Sequence, residues 1–342
     1  MTLFRGFSRR AIQALLGAAL VLSSTAALAQ VASNFAKLRS DDANYIVYAT
    51  SQDDDTLAED AHVEFLLSLR YPLVEAWFER RHARIDSPAS RYIPNRLLLV
   101  YNGLYDFYVF EGDRYESAPI VSRRQNPGLA LEWDLKRNAR ADNYRTLRLG
   151  WFHESNGQSL DDEDGNGAML FANEVAEAGE EFALSQVSRG WDYLSLRFAN
   201  GSASIPDSEL DPYRSGWWKL QAEMRLYCDC QGFGFISGRE DDIFWEAVSE
   251  QPRIQDFDGL RLAMERSFSA ERLGSDNYFI TRLQLQAGTS EWSALATVSG
   301  RLSLGFALGQ TRLVAFYHNG YGKDLSTYHI RTNYLGLGLE LR

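Results

Sequence analysis

The chain has 342 residues, of which 45% are hydrophobic and 13% aromatic, and its formal net charge at pH 7 is -11. The aromatic content excludes a disordered chain, and the acidic balance argues against a nucleic-acid-binding protein. Its two cysteines cannot build a disulfide framework or a four-thiolate zinc site.

The N-terminal segment has the layout of a secretory signal peptide. Arg5, Arg9 and Arg10 precede an apolar stretch, which ends in the small-residue signal Ala27-Leu28-Ala29. We therefore predict a signal peptide over residues 1–29 and a mature domain over residues 30–342. A retained membrane anchor is the alternative, although the apolar stretch is short for a spanning helix. After the first 30 residues no uncharged run exceeds ten residues, which excludes spanning helices there.

The mature chain alternates between apolar and polar residues over segments of about ten residues. The clearest example is the C-terminal segment, in which four leucines alternate with glycine and charged residues: Leu335, Leu337, Leu339 and Leu341 with Gly336, Gly338, Glu340 and Arg342. Because successive side chains of a strand point to opposite faces, each such segment predicts a strand with one apolar face. We expect about twelve strands, beginning near Asn44, Val63, Arg96, Gly128, Tyr144, Arg189, Trp217, Phe257, Tyr278, Ser299, Arg312 and Thr332.

Two all-β architectures fit these strands. A soluble sandwich would bury the apolar faces, whereas a transmembrane barrel would turn them to lipid. Strand lengths near ten residues, charged residues on the polar faces and aromatic residues near strand ends favour the barrel. We therefore predict a twelve-stranded antiparallel transmembrane β-barrel. The C-terminal Leu341-Arg342 lacks the aromatic residue that often ends such barrels.

One strand end carries a possible catalytic pair. His153 and Ser155 are two residues apart in the segment Gly150 to Gln158, so both project from the apolar face that carries Trp151. An ionisable imidazole on a lipid-facing surface is costly unless it lies near the headgroups or has a function. A histidine beside a serine can generate a nucleophilic alkoxide. A chance His-x-Ser pair remains the alternative on these residues alone.

This segment resembles the catalytic segment of the bacterial outer-membrane phospholipase A family. The string His153-x-Ser155-Asn156-Gly157 carries the likeness. Further similar segments are Asn44 to Tyr48, Ser188 to Asp192, Tyr321 to Leu325 and Leu335 to Gly338. The similarity extends over about residues 42–341 and is poor around residues 228–256.

The resemblance implies a twelve-stranded outer-membrane barrel that hydrolyses phospholipid ester bonds. Ser155 would be the nucleophile, His153 the general base, and the backbone N–H of Gly157 the oxyanion donor. The family's third catalytic residue is commonly asparagine, and here the matching residue is Asp192. Either side chain can accept the imidazole N–H, although an aspartate places a charge near lipid. An ordinary interfacial acid is the alternative for Asp192.

The resemblance also implies calcium dependence and an active homodimer. The calcium ligands would be Ser117, supplied by the partner subunit, together with Gln158 and Ser188, and a second site would include Asp242. Gln158 replaces an arginine of the family, which a ligand supplied by a backbone carbonyl would survive. The Asp242 match lies in the poorly similar stretch.

The main departure from the family is an acidic insertion over residues 159–187. It carries eight acidic residues and no Lys or Arg. Its Asp162-x-Asp164-Gly165-Asn166-Gly167 string hints at a calcium loop, but Leu160 stands where an EF-hand would have its first acid. We weigh calcium binding against a solvated loop, which the pattern favours, and a mobile lid. Cys228 and Cys230 could form a strained bridge, and their state is open.

We therefore predict calcium-dependent phospholipase A activity on phospholipids of the outer membrane. The principal alternative is a non-enzymatic barrel, a porin or a structural protein. A narrow twelve-stranded barrel with a charged interior disfavours a wide channel. A lipase or esterase for other acyl substrates would use the same residues.

Overall fold

A computed structural model of the chain describes residues 38–51, 61–74, 93–108, 120–137, 143–158, 160, 166–202, 217–227, 253–270, 277–289, 297–308 and 311–341. The predicted signal peptide and Ser117, Cys228, Cys230 and Asp242 lie outside these ranges. Within the ranges, no helix is long and apolar enough to cross a membrane.

The described chain is built mainly from strands. The short β1 (Arg39–Ser40) precedes twelve longer strands: β2 (Asn44–Thr50), β3 (His62–Val74), β4 (Arg96–Phe107), β5 (Ile120–Arg137), β6 (Tyr144–Ser155), β7 (Gly190–Gly201), β8 (Trp218–Tyr227), β9 (Gly259–Ser269), β10 (Tyr278–Gly288), β11 (Ser299–Leu308), β12 (Thr311–Gly320) and β13 (Thr332–Leu341). Three helices lie between strands: α1 (Gly167–Ala178), α2 (Glu180–Ser185) and α3 (Ile254–Phe257).

Strands β2 to β13 form a closed antiparallel barrel. Each strand pairs with its neighbours in sequence, and β13 pairs with β2 from Leu335 opposite Thr50 to Leu341 opposite Asn44. The closure leaves no free edge among the twelve strands, which is how a spanning sheet satisfies its backbone in lipid. The predicted twelve-stranded barrel is therefore confirmed.

The two faces of each strand differ as the alternation predicts. In β6, Leu149 and Trp151 are exposed on the outer wall, whereas Arg148, Phe152 and Glu154 are buried in the interior. The same exposed apolar band continues around the barrel: Leu129, Leu194, Leu196, Leu226, Leu283, Leu302, Leu304 and Leu337. An apolar outer wall around a polar interior is the arrangement of a transmembrane barrel.

Ion pairs fill the barrel interior. The Arg148 Nη2 lies 2.8 Å from the Glu132 Oε2, and the Arg282 Nε lies 2.9 Å from the Glu265 Oε2. Similar pairs link buried acids and bases along the barrel: Arg197–Asp41, Arg225–Asp258, Arg301–Glu64 and Arg312–Glu340. The described interior leaves a cavity of about 260 Å³ among these side chains. In the described interior the charged side chains are therefore packed against each other around this cavity.

The loop between β12 and β13, residues 321–331, folds into the mouth of the barrel and is called the mouth loop below. Its Lys323 donates hydrogen bonds to Glu64 on β3 and Asp106 on β4, and Asp324 accepts one from Ser122 on β5. The Arg124 Nη2 also donates to the carbonyl oxygen of Gly322 at 2.6 Å. The mouth loop thus ties three strands together at the end of the barrel where β6 terminates, called the site end below.

Two local predictions differ from the structure. Strand β5 begins at Ile120 rather than near Gly128, because the polar run before Pro127 pairs with β4 even though it breaks the apolar alternation. In the pairing of β5 with β6, Gln125 and Gly128 have partners but Asn126 and Pro127, which lie between them, do not. Proline lacks an N–H, so this gap falls where one ladder bond cannot form. The insertion, for which a solvated loop was favoured, contains the helices α1 and α2.

Candidate active site on the outer wall of the barrel

Strands β6 and β7 bring His153 and Asp192 together. The two residues are 39 positions apart in sequence, and the antiparallel register places them directly opposite each other. Ser155 lies opposite Gly190 in the same register. Alternation places His153 and Ser155 on the outer face with Leu149 and Trp151, so both side chains face outward, as the sequence predicts.

The His153 Nδ1 lies 3.1 Å from the Asp192 Oδ1, within hydrogen-bonding distance. The imidazole side chain is 33% exposed and the carboxylate 13% exposed. A carboxylate at Nδ1 favours the tautomer that carries its proton there, which leaves Nε2 free to accept one. The pair can therefore act as a general base oriented by an acid.

Ser155 lies two residues beyond His153 on the same face, about 7 Å along the strand. Its hydroxyl makes no hydrogen bond to any of the described residues, and none joins it to His153. Catalytic hydrogen bonds are often long before substrate binds. Whether Ser155 and His153 share a proton therefore remains a prediction.

The buried Asn156 connects the segment after Ser155 to the chain before β7. Its Nδ2 donates to the Val187 carbonyl oxygen at 2.8 Å, and its Oδ1 accepts the Arg189 N–H at 2.8 Å. Its own N–H donates to the Arg189 carbonyl at 3.0 Å. Asn156 was part of the sequence motif, but the sequence did not reveal its positioning role, because its partners lie more than 30 residues away.

Gly157 adopts φ +57°, in the left-handed region that favours glycine. A Cβ at this position would meet no atom within 4 Å, so conformation rather than space selects the glycine. Its exposed backbone turns directly after Asn156, beside Ser155. Among the described residues the Gly157 N–H has no hydrogen-bond acceptor, so this donor is available to a ligand.

Two of the predicted calcium ligands lie next to this turn. Gln158 follows Gly157, and Ser188 donates its N–H to the Leu160 carbonyl at 2.7 Å. Leu160 is only two residues after Gln158, so this hydrogen bond places Ser188 near the chain that follows Gln158. The Gln158 side-chain oxygen accepts a hydrogen bond from the Arg123 Nη2 at 3.4 Å, so the oxygens left for a cation are backbone carbonyls and the Ser188 hydroxyl. Oxygen donors of these two kinds fit calcium.

Among the described residues, a second cluster of possible metal ligands lies inside the barrel and is unsuited to calcium. His62, Glu64 and Asp106 are buried, and one ligand atom of each lies within 4.8 Å of the others. The ammonium of Lys323 already bonds to both carboxylates. This cluster is an ion-pair network that holds the mouth loop, and it faces away from Ser155.

The mouth loop also packs behind the candidate site. Trp191, the neighbour of Asp192, faces inward and meets the ring of Tyr328 edge-on with centroids 5.3 Å apart. Leu325 and Ile254 complete this buried apolar cluster. The inner wall beneath the His153–Asp192 pair is therefore supported by the mouth loop.

Comparisons with known proteins agree with this architecture. No family model and no curated protein matches the sequence. The structure matches outer membrane phospholipase A from Escherichia coli with a TM-score of 0.55 and 18% identity, covering 89% of this chain and 94% of that one. The chain has the fold of outer membrane phospholipase A.

Two further solved structures give the same result. An active-site mutant of the Escherichia coli protein at pH 6.1, with an asparagine changed to alanine, gives a TM-score of 0.56 at 18% identity, covering 89% of this chain and 91% of that one. The Salmonella typhi outer membrane phospholipase dimer with bound calcium gives 0.57 at 17% identity, covering 89% and 92%. At these identities the likeness establishes the fold, and the roles of individual residues rest on the geometry above.

Proposed function

We propose that the chain hydrolyses acyl ester bonds of phospholipids in the bacterial outer membrane, as a calcium-dependent phospholipase A1 and A2 that also accepts lysophospholipids. The observation that carries this proposal is the His153–Asp192 hydrogen bond on the outer wall, two residues from Ser155. A water-soluble substrate would not partition to an apolar outer wall, whereas a membrane lipid can reach this wall laterally within the bilayer. The fold similarity to outer membrane phospholipase A supports the same reaction class.

In the proposed reaction the Ser155 Oγ attacks the ester carbonyl carbon while His153 Nε2 takes the hydroxyl proton. Asp192 holds the ring and stabilises the imidazolium that forms. The Gly157 N–H stabilises the oxyanion. His153 then returns the proton to the departing glycerol oxygen, which releases a lysophospholipid. Water hydrolyses the acyl-Ser155 ester and releases a fatty acid.

Calcium would be held by Gln158 and Ser188, with Ser117 from a partner subunit and with Asp242 at a second site. When bound, it would supply positive charge that polarises the ester carbonyl. The proposal therefore includes a homodimer as the active form. It also includes cleavage of the signal peptide near Ala29 and insertion of the mature barrel into the outer membrane.

The test compares the parent protein with Ser155→Ala in detergent micelles containing phosphatidylcholine and calcium. We expect fatty acid release to fall to background in Ser155→Ala. The matched control is Ser269→Ala, which removes an exposed hydroxyl from the opposite end of the barrel. Persistent hydrolysis by Ser155→Ala would reject Ser155 as the nucleophile, and loss of activity in the control would indicate damage to the barrel.

A porin is the second candidate, and the ion pairs that fill the interior disfavour it. Planar-bilayer recordings on the same preparations distinguish the two. Steady conductance in a parent protein that releases no fatty acid would favour the porin. Hydrolysis without steady conductance would favour the phospholipase.

A further inference from the structure

Arg123 is a cation on the outer wall beside the candidate site. On β5 it shares the outward face with Gln125, Pro127 and the exposed Leu129, whereas its neighbour Arg124 points into the barrel. The register pairs Gln125 with Ser155. Arg123 therefore lies two residues farther toward the site end than the strand position opposite Ser155.

The guanidinium of Arg123 has few partners. Within the described residues its one hydrogen bond runs from Nη2 to the Gln158 Oε1 at 3.4 Å, and its buried Nε has no acceptor. No ion pair of the described chain includes Arg123, although the interior arginines are paired with carboxylates. A half-buried guanidinium that lacks an acid is suited to bind an anion.

The spacing between Arg123 and Ser155 matches the layout of a glycerophospholipid. Two residues along a strand and one step across it separate their Cα atoms by about 8 Å, which the long arginine side chain can partly close. In a glycerophospholipid the phosphate lies a few bonds from the acyl esters, on the side nearer to water. Arg123 likewise lies nearer to the end of the barrel than Ser155, and the apolar residues Trp151 and Leu149 lie on the other side of Ser155.

We propose that Arg123 binds the phosphate of the lipid headgroup while Ser155 attacks the acyl ester. This inference rests on the proposed function and extends it, because it selects phosphorylated lipids over neutral glycerides that carry the same esters. Arg123 is thereby a substrate-specificity residue. The opposing Tyr105, which faces Arg123 in the β4–β5 register, borders the same position.

The experiment compares kcat/KM for phosphatidylcholine and for a diacylglycerol with identical acyl chains in the same micelles. In Arg123→Gln we expect about a tenfold or greater loss for phosphatidylcholine, because a charge-assisted hydrogen bond is removed. The diacylglycerol value should stay within about twofold of the parent. Arg123→Lys should retain most of the preference, since it keeps the charge. Arg145→Gln is the control, because Arg145 is an exposed arginine at the opposite end of β6.

Binding is measured separately in the Ser155→Ala protein with a non-hydrolysable ether-linked phosphatidylcholine. We expect Arg123→Gln to weaken this binding and to leave binding of the matching dialkylglycerol unchanged. Equal losses for both lipids, or no loss for either, would overturn the role of Arg123. If the parent hydrolyses neither lipid, the proposed function fails, and the binding comparison alone decides whether Arg123 recognises phosphate.

Discussion

Replacing Lys323 by Met should strongly destabilise the barrel. Lys323 is 2% exposed, and the carboxylates of Glu64 and Asp106 that it contacts are 0% exposed. Burial would lower the pKa of Lys323, but the carboxylates of Asp106 and Glu64 hold it well above its usual value, so the ammonium stays charged. The methionine would leave these two acids without their shared cation.

The magnitude follows from what each acid retains. Glu64 keeps Arg301, whose Nη2 lies 3.1 Å from its Oε1. Asp106 keeps only a contact of 3.8 Å with the His62 Nε2 among the described ion pairs. Removing one partner of a buried pair costs about 3–5 kcal/mol, because the other charge is left uncompensated. We expect Lys323→Met to lose stability in this range, with Asp106 as the main cause.

Urea unfolding of the detergent-solubilised barrel, followed by tryptophan fluorescence, measures this loss. The double variant Lys323→Met/Asp106→Asn removes the uncompensated charge and should recover most of it. Arg266→Met is the control, since Arg266 is an exposed arginine on the outer face of β9. The reasoning is refuted if Lys323→Met unfolds with the parent's free energy, or if the double variant is as unstable as the single one.

Three further predictions concern the site and the mouth loop. Asn156→Ala leaves the Arg189 N–H and the Val187 carbonyl without their hydrogen-bond partner, at a stability cost of about 1–3 kcal/mol. We expect kcat to fall with little change in KM, and steady-state kinetics in which only KM changes would contradict this. Gly157→Ala keeps the N–H but forces alanine into left-handed geometry at about 1–2 kcal/mol, so activity should fall by about tenfold rather than vanish. Burial and the nearby Arg189 lower the pKa of His329 from 6.5 to about 4. Between these two pH values the unfolded chain binds more protons than the folded one, so the stability of the barrel should fall as the pH drops from 6.5 to about 4. In urea titrations, the stability of His329→Gln should depend less on pH than that of the parent.

Much of the fold could be predicted from local pattern. Alternation has a period of two wherever one face of a strand meets lipid, so the strand positions and the barrel class follow from it. The start of β5 was misplaced because its residues 122–126 are polar on both faces of the strand. The helices of the insertion were missed because its acidic residues obscured the short apolar stretches around Leu170 and Phe182.

The candidate site was predictable only in part. The placement of His153 and Ser155 on one face of a strand follows from their spacing in the sequence. Asp192 was suggested by the resemblance. The packing of the mouth loop against Trp191 and the position of Arg123 are not local. They depend on which residues of distant strands become neighbours.

The amino-acid sequence by itself determined that the chain forms amphipathic strands and that a histidine and a serine leave one of them on the same face. Those properties depend on backbone geometry between near neighbours. Only the tertiary structure decided that Asp192 lies opposite His153, that Lys323 joins two buried acids, and that Arg123 lies beside Ser155. Closure of the barrel sets the register of every strand against the next, and no short segment of sequence contains that information.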